Sequence, residues 1–179
     1  MVQTLVISFP KGVKAKESGF GRLPLHVACR SGASAEVVDA LLAYHPDAAS
    51  AKDHLHRIPL HYALKNHAEA DVVSKLMETY PEGVKRGDHR GWIPLHVACS
   101  VGTHPDIVKT LIEEWPESVW VKTHKGSDAL KCCAMMAKYA EHLDALKELV
   151  EEERRKTKEG GDGNEDEDGK KEGNLINFG

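Results

Sequence analysis

Cysteines, aromatic residues and long apolar runs are all scarce in this chain of 179 residues. Its four cysteines lack the dense, even framework of a small secreted domain, which favours a reduced intracellular setting, in the cytoplasm or nucleus. No run approaches the roughly 18 apolar residues that mark a membrane-spanning helix, so we expect no membrane span. The opening stretch, "MVQTLVISFP", lacks the basic start and small-residue cleavage site of a signal peptide.

The motifs that accompany common enzyme chemistry are also missing. The sequence has no P-loop, no glycine-rich dinucleotide turn, no kinase motif set and no Gly-x-Ser-x-Gly nucleophile motif. We therefore expect no enzymatic activity and no cofactor. Cys132 and Cys133 are adjacent, but neither has a predictable histidine base alongside, so a nucleophilic or redox role is disfavoured.

What the chain does contain is an internal repeat. The tripeptide Pro-Leu-His recurs with a spacing of 35 residues. Its three copies comprise Pro24, Leu25, His26, Pro59, Leu60, His61, Pro94, Leu95 and His96. The same step relates Ala28, Ala63 and Ala98; Leu41, Leu76 and Leu111; and Pro46, Pro81 and Pro116. A decayed fourth copy follows at residues 129–131.

Each unit has the periodicity of two helices. Pro24 suits the first turn of a helix, where its missing N–H costs nothing, and this short helix is expected to end at Gly32. A second helix is predicted from about Ala35 to Tyr44, because apolar residues recur along one face. Pro46 ends it, and a polar stretch then leads to the next unit as an extended turn. Since two helices cannot bury their apolar faces alone, we expect adjacent units to stack.

This pattern resembles the ankyrin repeat. The resemblance is carried by Gly91, Pro94, Leu95, His96, Ala98, Gly102, Asp106, Ile107, Val108, Leu111 and Ile112, and by their equivalents in the other units. It implies an all-α solenoid of helix–turn–helix units with extended loops. The unit of 35 residues, rather than the more frequent 33, and the proline after the second helix mark a variant of the family.

Two departures from the ankyrin pattern bear on stability. The threonine that usually precedes the proline is Leu23, Ile58 or Ile93 here, so three helices lose a hydroxyl cap worth about 1 kcal/mol each. The usual loop glycine is His56 in the second unit. If the backbone is left-handed at this position, the histidine bears a modest strain.

The resemblance also divides the chain into units. We predict an ankyrin repeat domain over residues 1–150, with a half repeat at 1–12, repeats at about 21–55, 56–90 and 91–125, and a degenerate capping repeat at 126–158. Residues 159–179, rich in glycine and charge, are a predicted disordered tail. Because the chain opens in the second half of a repeat, an alternative is a fragment of a longer array whose activity lies upstream. We expect a monomer unless that end self-associates.

The repeated histidines are interpreted as scaffold. The resemblance implies that His26, His61 and His96 are buried or half-buried, bond to loop backbone and hold adjacent units together. A zinc ion needs four ligands at about 2.0–2.3 Å, whereas equivalent positions in stacked helices lie about 8–10 Å apart. Cys29 and Cys99, two repeats apart, are too distant for a disulfide. A metal or redox protein built on these residues is the less favoured alternative.

A further implication of the resemblance is a non-catalytic interaction or scaffold module, which binds a protein or peptide through its loop tips and first-helix faces. No Asp or Glu occurs at those positions. The candidate partner-binding residues are Arg22, Arg30, His54, Arg57, Lys65, His89, Arg90, Trp92, His124 and Lys125. Trp92, expected to be exposed, stands where equivalent positions carry Arg or Ser. This basic strip predicts an acidic partner; solvated loop tips without a partner are the alternative.

Acidity is concentrated at the C-terminal end of the chain. Residues 151–179 carry 10 Asp or Glu and 6 Lys or Arg, whereas the remainder has 18 of each sign. The neutral body and the acidic tail argue against nucleic-acid binding. One hypothesis is that the tail lies transiently against the basic strip and screens it from partners. A tail that only confers solubility is the alternative.

Overall fold

A computed structural model describes residues 12–134 and 140–159 of the chain. The predicted half repeat therefore lies outside the described residues except for Gly12, and the predicted tail lies outside them except for Glu159. Within these two ranges the regular secondary structure consists of α-helices and 3-10 helices, and no strand occurs. The prediction of an all-α fold is confirmed.

Eight α-helices, in four pairs, run through the described residues. They are α1 (Pro24–Arg30) and α2 (Ala35–Tyr44), α3 (Pro59–Lys65) and α4 (Ala70–Thr79), α5 (Pro94–Val101) and α6 (Pro105–Glu114), and α7 (Ala129–Ala134) and α8 (Ala140–Glu159). The first helix of each pair contacts its own second helix and the first helix of the next pair. The result is a stack of helix–turn–helix units.

The first helices of the three regular units begin in the same way. Each has proline at its first position, after a residue in extended backbone: Leu23, Ile58 or Ile93. None of these residues has a side chain that can cap the helix. The backbone N–H of Leu23 donates instead to Nδ1 of His26, three residues later, at 3.2 Å. One half of a capping box is thus present, and the hydroxyl half is absent.

Left-handed residues end these first helices and turn the loops. Gly32 and Gly102 both have φ of +69°, and His67, at the equivalent position, has φ of +52°. His56 has φ of +58°, the left-handed conformation considered for it from the sequence. Such a backbone costs a residue with a Cβ about 1–2 kcal/mol. The second unit therefore carries strain that its neighbours avoid with glycine.

The core repeats in register with the sequence. Its most regular columns, buried to within 2% of complete coverage, are Leu25, Leu60 and Leu95 from the first helices and Val38, Val73 and Val108 from the second. Burying one such side chain stabilises a protein by about 1.5–3 kcal/mol. Because each column passes through every regular unit, this burial holds the units to one another as well as within themselves.

Short 3-10 helices follow the second helices, where the sequence predicted a polar extended turn. They are Pro46–Ala49, Pro81–Lys85 and Pro116–Trp120. Each begins at the proline that ends the preceding helix, because the fixed φ of proline suits a first turn. Ala49, Val84 and Val119 are buried in these elements at the 35-residue step. The first part of the connection is therefore a further packed element of each unit, and the expected extended turn begins only after it.

The last unit is closed by α8, a helix of 20 residues. Arg154 on this helix donates from Nε and Nη2 to the Val119 carbonyl, at 3.1 and 2.7 Å, and pairs with Asp128 at 2.9 Å. Trp120 donates its indole N–H to Thr157 at 2.9 Å, and the Arg154 guanidinium lies over the indole ring. These contacts fasten the closing helix to the unit before it.

Candidate recognition surface

Three buried histidines join consecutive units. In each, Nδ1 accepts from the N–H of the residue before the proline, so the ring carries its proton on Nε2. This second nitrogen donates to a carbonyl of the next loop: His26 to Arg57 at 3.1 Å and His61 to Trp92 at 2.9 Å. His96 makes the equivalent contact at 3.0 Å. Each ring therefore ties a helix start to the loop of the following unit.

The protonation of these rings follows from their surroundings. Burial lowers the pKa of His26, His61 and His96, because a charged imidazolium would lose its hydration. The neutral ring is also the form that the hydrogen bonds require, since Nδ1 acts as an acceptor. Across residues 12–134 and 140–159, no group of three or more His, Cys, Asp or Glu is placed to hold a metal ion.

The loop tips are linked by a backbone ladder. Its bonds run from the N–H of His54 to the carbonyl of Phe20 at 2.8 Å, from His89 to Leu55 at 3.0 Å and from His124 to Arg90 at 2.9 Å. All three histidines are exposed. The ring of His124 covers Gly91, where an added Cβ would come within 2.7 Å of the ring. The structure thus places these candidate residues in equivalent positions and gives their backbone a role in joining the loops.

Asp53 shapes the loop before the second unit. Its Oδ1 accepts from the backbone N–H groups of Leu55 and Arg57, both at 2.8 Å. Its Oδ2 accepts from the Tyr62 hydroxyl at 2.6 Å. The carboxylate is buried, and both of its oxygens accept hydrogen bonds. It therefore fixes both the loop and the ring of Tyr62, which lies on the first helix of that unit.

Asp88 has the equivalent place before the third unit. Its Oδ1 accepts from the N–H groups of Arg90 and Trp92, at 2.8 and 3.0 Å. Its Oδ2 lies 3.7 Å from Nε of Arg57. The loop that carries Trp92 is held by these bonds, because its two anchoring N–H groups share one buried carboxylate.

Acidic residues just outside the candidate positions pair with two of the candidate cations. Arg57 has Asp88 as an internal counter-charge, and Arg22 is bonded through Nε to Glu17. Arg22 is only 8% exposed, so it is not an exposed loop-tip cation. Two of the candidate cations are therefore already paired. The missed signal was that Asp53 and Asp88 also lie 35 residues apart, one position before the tips.

Trp92 is half-buried, which corrects the expectation of an exposed tryptophan. Its ring stands edge-on to His96, with ring centroids 6.2 Å apart. Its N–H donates to Asp88 and its carbonyl accepts from His61. Backbone bonds on both sides therefore set the position of this residue, and part of its indole surface remains exposed.

Four other candidate cations, Arg30, Lys65, Arg90 and Lys125, are exposed. In the part of the chain that the structure describes, none of them forms an ion pair with a carboxylate. Arg30 and Lys65 occupy equivalent positions at the C-terminal ends of α1 and α3. Among the ten candidate residues, these four carry the positive charge that is exposed and has no ion pair within the described residues.

An apolar hollow lies between the second and third units. Its walls include Tyr62, Trp92, Val97 and Val101, and its volume is about 210 Å³. Arg57, Lys65 and Arg90 also line it. We call it the apolar hollow, because aromatic and aliphatic side chains form its walls and the cationic groups can extend towards solvent.

A cationic hollow adjoins it, between the first and second units. It is lined by Phe20, Arg22, Arg30, Arg57, Tyr62 and Lys65, and its volume is about 340 Å³. Arg57, Tyr62 and Lys65 line both hollows. We define the recognition surface as these two hollows with their exposed rim. It brings together six of the ten candidate residues, and His54, His89, His124 and Lys125 line neither hollow.

Comparison with known families agrees with this geometry. The sequence profile described as ankyrin repeats (3 copies) matches residues 1–85 and 68–159, which together span most of the chain. The chain belongs to the ankyrin-repeat family. The resemblance drawn from the repeated Pro-Leu-His is therefore confirmed, while the assignment to a 35-residue variant stays a prediction. No curated protein gives a significant match to the chain.

Membership in the ankyrin family carries a general function. Ankyrin repeats are protein–protein interaction modules and are generally not enzymes. The units described above are the parts that such modules share. Over the described residues, no helix has the length and apolar character that crossing a membrane requires.

The cysteines of this ankyrin protein lie in the core. All four are free and buried. The Cys99 thiol donates to Cys133, which raises the pKa of Cys99 and lowers that of Cys133, an inter-unit contact that the sequence did not reveal. Burial raises the pKa of Cys29 and Cys132 to about 12. Burial keeps reagents from all four thiols, and at Cys29 and Cys132 the raised pKa also disfavours the reactive thiolate.

Proposed function

We propose that this protein is a non-catalytic recognition module that binds a protein or peptide through the recognition surface. The observation that carries the proposal is the pair of adjoining hollows, whose lining departs from the repeat. Three units have Arg22, Arg57 and Trp92 at equivalent positions, so an aromatic side chain replaces a cationic one in the third unit. The scaffold residues, by contrast, are the same in each unit. Variation on a constant framework is how repeat proteins form distinct binding surfaces.

The composition of the surface supports a protein partner with acidic groups. Arginine and tryptophan are the residues that most often dominate the energy of protein interfaces. Exposed cations at the rim, such as Arg90, accelerate association with an oppositely charged surface and favour it over neutral competitors. Among the residues of this chain, Trp92 is suited to the centre of such an interface, because it is half-buried and already held.

The rigidity of the loops supports binding as well. Asp53 and Asp88 each fix two backbone N–H groups of a loop, and neighbouring loops are joined by the backbone ladder. A surface that is ordered before binding loses little conformational entropy when its partner arrives.

We further propose that the protein acts as a monomer in the cytoplasm or nucleus. Its partner is a protein rather than a nucleic acid, in keeping with the charge balance of the sequence.

Affinity capture from cell extract tests the proposal, with the full chain as bait. The test variant combines Lys65→Glu with Trp92→Ala, which changes one cation and one aromatic residue on the recognition surface. The matched control combines Lys109→Glu with Tyr44→Ala, which makes the same chemical changes at exposed positions on α6 and α2. We expect the wild-type chain and the control to retain the same proteins and the test variant to lose them.

The expected depletion is tenfold or more in bound protein, since losing a hot-spot residue costs about 2 kcal/mol or more. Circular dichroism of each variant checks that the helical fold is kept. Equal capture by the test variant and the wild-type chain would show that the partners bind elsewhere. If only the control variant lost these proteins, the binding site would lie on the second helices instead.

A further inference from the structure

We propose that the recognition surface binds an extended peptide segment that carries an anionic side chain and, a few residues along, a large apolar side chain. The anionic group binds in the cationic hollow, between Arg30 and Lys65. The apolar side chain enters the neighbouring hollow, between Tyr62 and Trp92. This inference rests on the proposed function and names the chemistry of the ligand that the surface selects.

The anionic half follows from which cations are still available. Arg22 and Arg57 line the cationic hollow but are matched by Glu17 and Asp88. Arg30 and Lys65 line the same hollow without an ion-pair partner among residues 12–134 and 140–159. A carboxylate or phosphate placed there can form charge-assisted bonds with two cations that have no ion pair within the described residues.

The positions of these two cations allow both to reach one group. Arg30 and Lys65 end consecutive first helices, and helices that pack directly lie about 8–10 Å apart. Both side chains are long, so their charged ends can meet on a single carboxylate or phosphate between them. Within the residues that the structure describes, neither side chain has a hydrogen bond or ion pair that must break when the anion binds.

The apolar half follows from the walls of the second hollow. The Tyr62 ring is fixed by its bond to Asp53, and the loop of Trp92 is fixed by Asp88. Val97 and Val101, one helical turn apart on α5, are its aliphatic lining residues, and the buried Asp88 and His61 and the half-buried Ser100 also border it. A preformed hollow of about 210 Å³ with these walls suits one aliphatic or aromatic side chain of the partner.

The two halves are joined, which makes a single segment the natural ligand. Arg57, Tyr62 and Lys65 line both hollows, so the two lie side by side on the same surface. An extended peptide advances about 3.3 Å per residue and alternates its side chains, so it can place one side chain in each hollow within a few residues. A single-stranded RNA, with phosphates and stacking bases, is the competing ligand class and is included in the test.

Selection from a random dodecapeptide library, with the full chain as bait, tests this inference. We expect the enriched peptides to combine Asp or Glu with a large apolar residue at a fixed separation. Calorimetric titration of an enriched peptide then measures its affinity for each variant. Arg30→Glu with Lys65→Glu should weaken binding about tenfold or more, and the loss should vanish when the acidic residue of the peptide is replaced by its amide.

The apolar half has its own variants. Trp92→Ala should weaken the same peptide about tenfold or more, whereas Trp92→Phe should recover most of the affinity. Replacing the apolar residue of the peptide by Ser should abolish the difference between the wild-type chain and Trp92→Ala. Lys109→Glu, with a cation reversed on α6, is the control that should leave the affinity unchanged.

A second arm distinguishes the source of the negative charge. Each enriched peptide is also made with phosphoserine in place of its acidic residue. Tighter binding of the phosphopeptide, lost in Arg30→Glu with Lys65→Glu, assigns a phosphorylated partner, and the reverse order assigns a carboxylate. Both results support an anionic ligand. A dodecamer RNA that binds more tightly than any peptide would overturn the peptide assignment.

The failures of this inference and of the proposed function are distinguishable. Enrichment of peptides without acidic residues, or equal affinity for the wild-type chain and the charge-reversed variant, would overturn the ligand chemistry alone. Absence of any enriched peptide would overturn it too. In either case the capture experiment decides separately whether the recognition surface binds protein.

Discussion

His61 serves two units with one ring. Its Nδ1 accepts from the Ile58 N–H at 3.4 Å, and its Nε2 donates to the Trp92 carbonyl at 2.9 Å. The first bond belongs to its own helix start, and the second belongs to the loop that carries the proposed binding residue. Because the imidazole is buried, neither backbone group has water as a substitute.

Removing this ring should destabilise the fold strongly. His61→Ala leaves two buried backbone groups without a partner and creates a cavity, so we expect the free energy of unfolding to fall by about 2–5 kcal/mol. His89→Ala, at an exposed loop tip, is the control and should cost less than about 1 kcal/mol. Urea denaturation measures both. Losses of equal size would mean that the buried histidine is not a structural link.

The same histidines predict how stability depends on pH. Because burial lowers the pKa of His26, His61 and His96 below the ordinary 6.5, the unfolded chain binds more protons than the folded chain in mildly acid solution. Stability is therefore complete above about pH 7 and falls as the pH drops through 6.5. Each such proton contributes up to about 1.4 kcal/mol per pH unit.

Urea midpoints at about pH 7.5 and about pH 5.5 test this dependence in a range above most carboxylate titration. We expect the lower midpoint at the lower pH. The His61→Ala variant should show a smaller difference between the two, since it has lost one of the three groups. A midpoint that is equal or higher at the lower pH contradicts the account of neutral, buried rings.

At the scale of elements, regular helices were predictable and their connections were not. The second helix expected from about Ala35 to Tyr44 has those bounds, because proline and glycine mark the ends and apolar spacing marks the face. The 3-10 helix Pro46–Ala49 was missed, because a four-residue element has too little periodicity to detect. The sequence signal for this helix appears only when units are compared, because apolar residues recur at the 35-residue step as Ala49, Val84 and Val119.

The closing helix α8 gives an element-scale prediction. Arg154 donates to the Val119 carbonyl and pairs with Asp128, and its side chain is only 17% exposed. Arg154→Met should lower the free energy of unfolding by about 1.5–3 kcal/mol, since it removes partly buried, charge-assisted bonds while keeping apolar bulk. Arg155→Met, on an exposed face of α8, should change it by less than about 0.5 kcal/mol. Chemical denaturation of both variants compares them directly, and equal losses would show that Arg154 does not fasten α8.

At the scale of the whole molecule, the repeated residues could be predicted and the surface could be predicted only in outline. Position in the repeat predicted that Arg57 and Trp92 lie near one another on the face proposed for binding. It could not reveal that Arg57 is paired with Asp88 or that Trp92 is half-buried, because both depend on contacts between units. Charge counted along a sequence therefore overstated the unpaired positive charge of the two hollows, because Arg22 and Arg57 are paired while Arg30, Lys65 and Arg90 have no ion pair within the described residues.

Hydrogen exchange of the full chain, alone and with a captured partner, tests most directly whether the recognition surface is the binding site. We expect slower exchange in the loops at residues 54–57 and 89–92 and at the C-terminal ends of α1 and α3, with α2, α4 and α6 unchanged. Slowing confined to α2, α4 and α6 would contradict the account, because it would place the partner on the second helices.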